Sequence, residues 1–172
     1  MGTAKRTKDM IDVVDLLTAQ HKEVDQLIEK LEKGKGEKAA VFQQLADKLA
    51  AHATIEEKVF YPGVMTEKTK DILNESVEEH LEVKRILADM LSLDPSSDSF
   101  EAKLSVLKEN LSHHAHEEEE DKLFPMVRKH LDADQLAALG NQCLAMFEEL
   151  MTKHPSQNVP HETAHAARLP QP

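Results

Sequence analysis

The segment from residue 38 to residue 61 reads KAAVFQQLADKLAAHATIEEKVFY. Its large apolar residues recur at steps of three and four, the spacing of a helix that buries one face. The positions along that stripe are Phe42, Leu45, Leu49, His52, Glu56 and Val59. The stripe is therefore apolar except where a histidine and, one turn later, a glutamate replace hydrophobic residues.

Three other segments carry a stripe of the same kind. Each contains one histidine among hydrophobic residues: His21 in the first segment, His80 in the third and His114 in the fourth. In the fourth segment Glu118 follows His114 by one turn, as Glu56 follows His52. The order of a lone histidine and then His-x-x-x-Glu is thus repeated, which predicts two similar helical hairpins packed face to face.

Glycine, proline, aspartate and serine mark the ends of these segments, and strand-like alternation is nearly absent. The predicted helices cover residues 10–33, 38–61, 67–92 and 99–123, and a fifth covers 133–153 with Asp132 or Asp134 as its N-cap. We therefore predict an all-α protein, an up-down-up-down four-helix bundle with an additional C-terminal helix.

The two ends of the chain are expected to lie outside the bundle domain, which is assigned to residues 10–153. Residues 1–9 are predicted to be a flexible N-terminus. Residues 154–172 contain four prolines and few large apolar residues, a composition typical of a disordered tail.

Composition restricts the classes of function. A net charge of −11 and only 3% aromatic residues disfavour nucleic-acid binding. The apolar runs are too short for a membrane span. No secretory signal is visible and the chain has a single cysteine, so a cytoplasmic setting is the expectation. The 10 histidines and the excess of carboxylates instead favour a cation site.

Histidine and glutamate on core faces need a compensating partner, because an unpaired buried carboxylate costs several kcal/mol. In helix bundles that partner is commonly a metal ion held by side chains of facing helices. Six groups exceed the needs of one tetrahedral ion, so we predict two ions bridged by the glutamates, with one position open to a small ligand. The predicted ligands are His21, His52, Glu56, His80, His114 and Glu118.

Four stretches of the sequence resemble the hemerythrin-like HHE cation-binding proteins over roughly residues 10–128. They read DLLTAQHKEVDQLIEKLE around His21, HATIEEKVFYP from His52, EEHLEVKRIL around His80 and HHAHEEEEDKLFP from His113. The resemblance implies a four-helix bundle that holds a non-haem di-iron centre with an oxygen or hydroxide bridge. Zinc and manganese are the alternative metals.

The sequence departs from the family pattern at two places. Oxygen-carrying hemerythrins have His-x-x-x-His on the third helix, whereas Lys84 follows His80 here. The loss of an imidazole argues against reversible oxygen carriage, and the Lys84 ammonium is expected to favour anionic ligands. In the fourth segment, counting back from the Phe-Pro pair selects Glu119, whereas the apolar stripe selects Glu118. We prefer Glu118, because a five-residue step leaves the face of a helix that has no π-bulge.

Three functions are compatible with such a centre. The leading hypothesis is a binding or sensing protein whose di-iron site takes up dioxygen, peroxide or nitric oxide. The alternative is a di-iron enzyme with catalase-like, peroxidase-like or iron-oxidising activity. The third is a structural module that holds zinc or iron.

Overall fold

A computed structural model of the protein describes residues 10–172, so the predicted flexible N-terminus, residues 1–9, lies outside the described residues. All secondary-structure elements among the described residues are helices, and four long helical rods form the bundle. The first rod is α1 (Val13–Glu32), the second is α2 (Lys38–Ile55) with π1 (Glu56–Phe60) and α3 (Tyr61–Gly63), the third is α4 (Lys70–Leu91), and the fourth is α5 (Asp98–Ser112) with π2 (His113–Leu123) and α6 (Phe124–His130). An additional helix, α7 (Ala133–Met151), follows. The predicted fold class, a four-helix bundle with an extra C-terminal helix, is confirmed.

The N-termini of three helices are capped by the short polar side chains that the sequence places there. The Asp12 carboxylate accepts the amide of Val14 at 2.8 Å and so starts α1. Ser97 caps α5. Of the two candidate caps for α7 the structure selects Asp132, which forms a reciprocal capping box with Gln135.

Two hydrophobic clusters make up the core, and the histidines lie between them. Along each of the four rods, one histidine separates residues of the first cluster from residues of the second. The first cluster includes Val24, Ile28, Phe42, Leu45, Leu87, Phe100 and Leu104. The second includes Val14, Leu17, Phe60, Leu73, Phe124, Leu136 and Cys143. The bundle thus consists of a polar layer enclosed by an apolar cluster on either side.

Helix α7 covers the second cluster through the buried side chains of Leu136 and Cys143. Its Gly140 permits a close approach to the start of α1, since a Cβ atom at residue 140 would lie 1.7 Å from the carbonyl oxygen of Ile11. Across residues 10–172, none of the helices is long and apolar enough to cross a membrane.

The C-terminal segment differs from its prediction as a disordered tail. After α7 the chain forms a 3-10 helix, Pro155–His161, and Val159 joins the first hydrophobic cluster with 1% exposure. Leu169 is buried against the second cluster. The composition was misleading because a few well-placed apolar residues and one polar anchor suffice to order a segment that lies on a finished bundle.

Asp47 on α2 is that polar anchor. Its buried carboxylate accepts hydrogen bonds from the Ser156 amide at 3.1 Å and from the Ser156 hydroxyl at 2.6 Å. Burial raises the pKa of the Asp47 carboxyl, but the bonds from Ser156 outweigh burial and hold the pKa below its usual value. The ionised carboxylate therefore fixes the start of the C-terminal segment on α2.

Replacing this anchor should destabilise the protein and release the segment. We expect Asp47→Ala to lower the free energy of unfolding by about 1–3 kcal/mol, because the Ser156 amide would be left buried without an acceptor. Urea unfolding measures the loss, and limited proteolysis should cut the variant after residue 153 sooner than the unmodified chain. The exposed Asp121→Ala is the control and should change neither quantity.

Candidate metal centre

The polar layer of the bundle is built by one histidine from each rod and by two glutamates. His21, His52, His80 and His114 are each at most 8% exposed. Glu56 and Glu119 are fully buried. The structure thus brings five of the six predicted ligands together and adds Glu119 as the sixth group.

The first group of candidate ligands consists of His21, His52, Glu56 and Glu119, whose ligand atoms all lie within 4.8 Å of one another. His52 Nε2 lies 2.7 Å from Glu56 Oε1, and His21 Nε2 lies 3.1 Å from Glu119 Oε1. Neither contact is aligned as a hydrogen bond, so all four atoms are buried without a hydrogen-bond partner. Buried polar atoms are normally paired, and four orphaned atoms that converge are what a bound cation would satisfy.

The second group consists of Glu56, His80 and His114. His80 Nε2 lies 2.9 Å from Glu56 Oε2 and 3.0 Å from His114 Nε2. Glu56 therefore contacts the first group through Oε1 and the second group through Oε2. One carboxylate with an oxygen in each of two adjacent groups has the arrangement of a bridging ligand.

Tyr61 occupies the centre of the layer, a position that the sequence analysis did not predict. Its hydroxyl oxygen lies 2.9 Å from Glu56 Oε2 and 3.1 Å from Glu119 Oε2. The same oxygen is 3.3 Å from Nε2 of both His80 and His114. Burial and then the charges of the two carboxylates raise the pKa of the Tyr61 hydroxyl well above its usual value. The phenol therefore stays protonated and donates a hydrogen bond to a carboxylate.

The structure corrects the preference for Glu118 over Glu119. Within the fourth rod, residues 113–123 form the π-helix π2. At its end the amide of Phe124 donates a hydrogen bond to the carbonyl oxygen of Glu119, five residues earlier. The wider turn brings residue 119 onto the face of His114 and rotates residue 118 away from it. The Glu118 carboxylate instead pairs with Lys122 at 2.6 Å.

Each histidine of the layer is also held at its other ring nitrogen. The Nδ1 atom contacts a carboxylate or amide oxygen in every case, which leaves Nε2 directed at the two groups. The pairs are His21 with Glu120 at 2.8 Å, His52 with Gln20 at 2.6 Å, His80 with Glu57 at 2.9 Å and His114 with Glu79 at 2.9 Å. The four rings are therefore oriented by carboxylate and amide oxygens of the chain itself.

Lys84 does not direct its charge at the centre. Its Nζ donates to both oxygens of Glu57, at 3.0 and 3.1 Å, and lies 3.6 Å from Glu162 in the C-terminal segment. Glu57 in turn accepts from His80. The ammonium therefore helps to position His80 through Glu57, and its pairing with carboxylates removes the basis for the expected preference for anionic ligands.

The electrostatics of the layer favour binding of a positive charge. Burial lowers the pKa of the His21 imidazole, but the adjacent Glu119 carboxylate outweighs burial and raises the pKa to about 9. Burial likewise raises the pKa of Glu56, yet the neighbouring imidazoles hold it well below its usual value. Protons on the imidazoles compensate the two carboxylates, and a metal cation would replace those protons. Nitrogen and oxygen donors suit iron, zinc and manganese.

The π-helix provides a matched pair of variants that distinguishes a ligand from its neighbour. We expect Glu119→Gln to reduce metal content at least tenfold, because the amide loses the charge that faces the cation. Glu118→Gln should retain most of the metal, since that side chain faces Lys122. Elemental analysis after supplementation with iron gives the readout. Equal loss from both variants, with both folded by circular dichroism, would contradict the placement.

Comparison with known proteins agrees with this centre. The model of the hemerythrin HHE cation-binding domain matches residues 12–127. One relative, a DNA nickase from Nostoc sp., is 28% identical over 130 residues, which make up 74% of this chain and 37% of the nickase. The chain thus spans less than half the length of that relative.

A solved structure has the same fold. The crystal structure of a hemerythrin HHE cation-binding domain-containing protein from Mycobacterium kansasii superposes with a TM-score of 0.71. The alignment covers 83% of this chain and 89% of that one at 22% identity. The matched family model spans more than half of the sequence and includes all six candidate ligand residues of the polar layer. The chain belongs to the hemerythrin HHE cation-binding domain family.

Proposed function

We propose that the protein holds two iron ions, one in each group of the polar layer, and uses them to bind dioxygen, peroxide or nitric oxide. The observation that carries the proposal is the position of Glu56, which presents one oxygen to each group. The four buried ligand atoms of the first group that lack a hydrogen-bond partner support the proposal further. Zinc and manganese remain the alternative occupants.

The two groups differ in their number of protein ligands, and this difference supports a binding function. The first group offers four side chains and the second offers three. Of the two groups, the one with three side chains leaves more coordination positions open to a small molecule. When bound, a pair of irons would supply electrons and a Lewis-acidic position for that molecule.

The residues of the chain would orient and protect a ligand at the open position. Tyr61 holds a proton on its hydroxyl oxygen within 3.3 Å of the Nε2 atoms of His80 and His114. It can therefore donate a hydrogen bond to a small molecule bound by the second group. The hydrophobic clusters on both sides of the layer exclude bulk water.

Metal stoichiometry tests the first half of the proposal. Protein that is purified without air and supplied with ferrous iron should contain about two irons per chain, because the layer has two groups that share one carboxylate. Glu56→Gln should lose both ions, since it contributes an oxygen to each group. A single zinc per chain with no uptake of iron would contradict the di-iron assignment.

Reaction with small ligands tests the second half. Stopped-flow absorbance after mixing anaerobic iron-loaded protein with nitric oxide or dioxygen should show a saturable optical change. Tyr61→Phe should shorten the lifetime of the liganded form, because it removes the hydrogen-bond donor beside the open position. Ser105→Ala, which removes a hydroxyl from the exposed face of α5, is the control. Sustained release of dioxygen from peroxide would instead favour the enzyme alternative.

A further inference from the structure

A small cavity of about 30 Å³ adjoins the polar layer on the side of the first hydrophobic cluster. Three of the histidines, His52, His80 and His114, form its inner wall. The remaining wall is almost entirely apolar. Its side chains are Leu49, Ala50 and Ala53 of α2, Val83, Lys84 and Leu87 of α4, Leu111 of α5 and Val159 of the C-terminal segment.

The C-terminal segment closes this cavity. Val159 is 1% exposed and stands in the wall opposite the histidines. The 3-10 helix that carries Val159 lies across α2 and α4. The C-terminal segment is fastened to α2 by the bonds from Ser156 to Asp47. Beyond the 3-10 helix, it is fastened to α4 by the bond of 2.9 Å from Arg85 Nε to the carbonyl oxygen of Thr163.

The lining of the cavity selects the charge of its occupant. Lys84 contributes to the wall, but its ammonium is paired with Glu57 and therefore compensated. A charged ligand would lose its hydration in this space without gaining a free counter-charge. A dioxygen or nitric oxide molecule has little hydration to lose, and apolar cavities of proteins are known to bind neutral gases.

We propose that this cavity is a docking site for a small uncharged gas molecule, and that the segment Pro155–His161 is its lid. The inference rests on the proposed function, because it names the class of ligand and the side from which the ligand reaches the second group. A gas molecule enters when the lid lifts from α2 and α4, and it then lies in the cavity against the rings of His80 and His114. Charged ligands are excluded by the apolar wall.

Xenon is the probe for the cavity, since it binds apolar cavities without chemistry. The full chain, with and without iron, should produce a saturable shift in the ¹²⁹Xe NMR spectrum. Val83→Phe fills the cavity from α4 and should reduce xenon affinity at least fivefold. Val106→Phe makes the same change at a position that is 48% exposed and should leave affinity unchanged.

A second cavity-filling variant controls for misfolding of Val83→Phe. Ala50→Leu enters the cavity from α2 and should also weaken xenon binding. The proposal is overturned if the unmodified chain shows no saturable shift. It is equally overturned if a filling variant that melts like the unmodified chain still binds xenon normally.

The lid is tested by the rate at which xenon exchanges. Ser156→Ala removes one of the two bonds to Asp47 and should raise the exchange rate several-fold at similar affinity. Ser105→Ala, on the exposed face of α5, is the control. An unchanged rate in Ser156→Ala, with the protein folded, would show that gas enters elsewhere and would refute the lid.

These measurements also separate the cavity from the proposed function. Iron loading with no xenon binding would refute the cavity and leave the di-iron proposal intact. Xenon binding in a chain that takes up no iron would refute the proposed function, and would leave a cavity without a reactive centre beside it.

Discussion

Two carboxylates at the centre of a hydrophobic bundle are the constraint on which the rest of the structure depends. Glu56 and Glu119 have no exposed surface, and an uncompensated charge there would cost several kcal/mol, a large part of the stability of an ordinary domain. Four imidazoles surround them, and the compensating positive charge comes from protons on these imidazoles or from a cation that they bind. The apolar clusters on either side hold the rods together where the layer itself cannot. The polar layer and the hydrophobic core of the bundle therefore depend on each other for stability.

The layer has an internal symmetry that follows the repeat of the two hairpins. The residue before each lone histidine binds the histidine of the next rod, as Gln20 binds His52 and Glu79 binds His114. The residue after each inner glutamate, 57 or 120, binds a lone histidine. The symmetry breaks where Tyr61 in one half corresponds to Phe124 in the other. The Tyr61 hydroxyl lies beside the second group, which has three side-chain ligands where the first group has four.

Much of this arrangement could be predicted from the sequence, because burial imposes a period on each helix. The stripes correctly place His21, His52, His80 and His114 in one layer, together with Glu56. They fail at Glu118, since the periodicity assumes α-helical hydrogen bonding and the π-helix shifts the phase by one residue. The spacing to the following proline carried the information: Glu56 and Glu119 both lie six residues before it. Ligation by these residues stays a prediction until metal is measured.

Composition alone could not predict that the C-terminal segment is ordered. Its order depends on two contacts with the bundle, that of Ser156 with the buried Asp47 carboxylate and that of Val159 with the first hydrophobic cluster. Both contacts involve helices that carry the histidines. Asp47 lies five residues before His52 on α2, and Arg85 lies five residues after His80 on α4. The segment and these histidines are therefore held by the same two helices, α2 and α4. Lys84 adds a direct connection, because it contacts Glu162 in the segment and Glu57 beside His80.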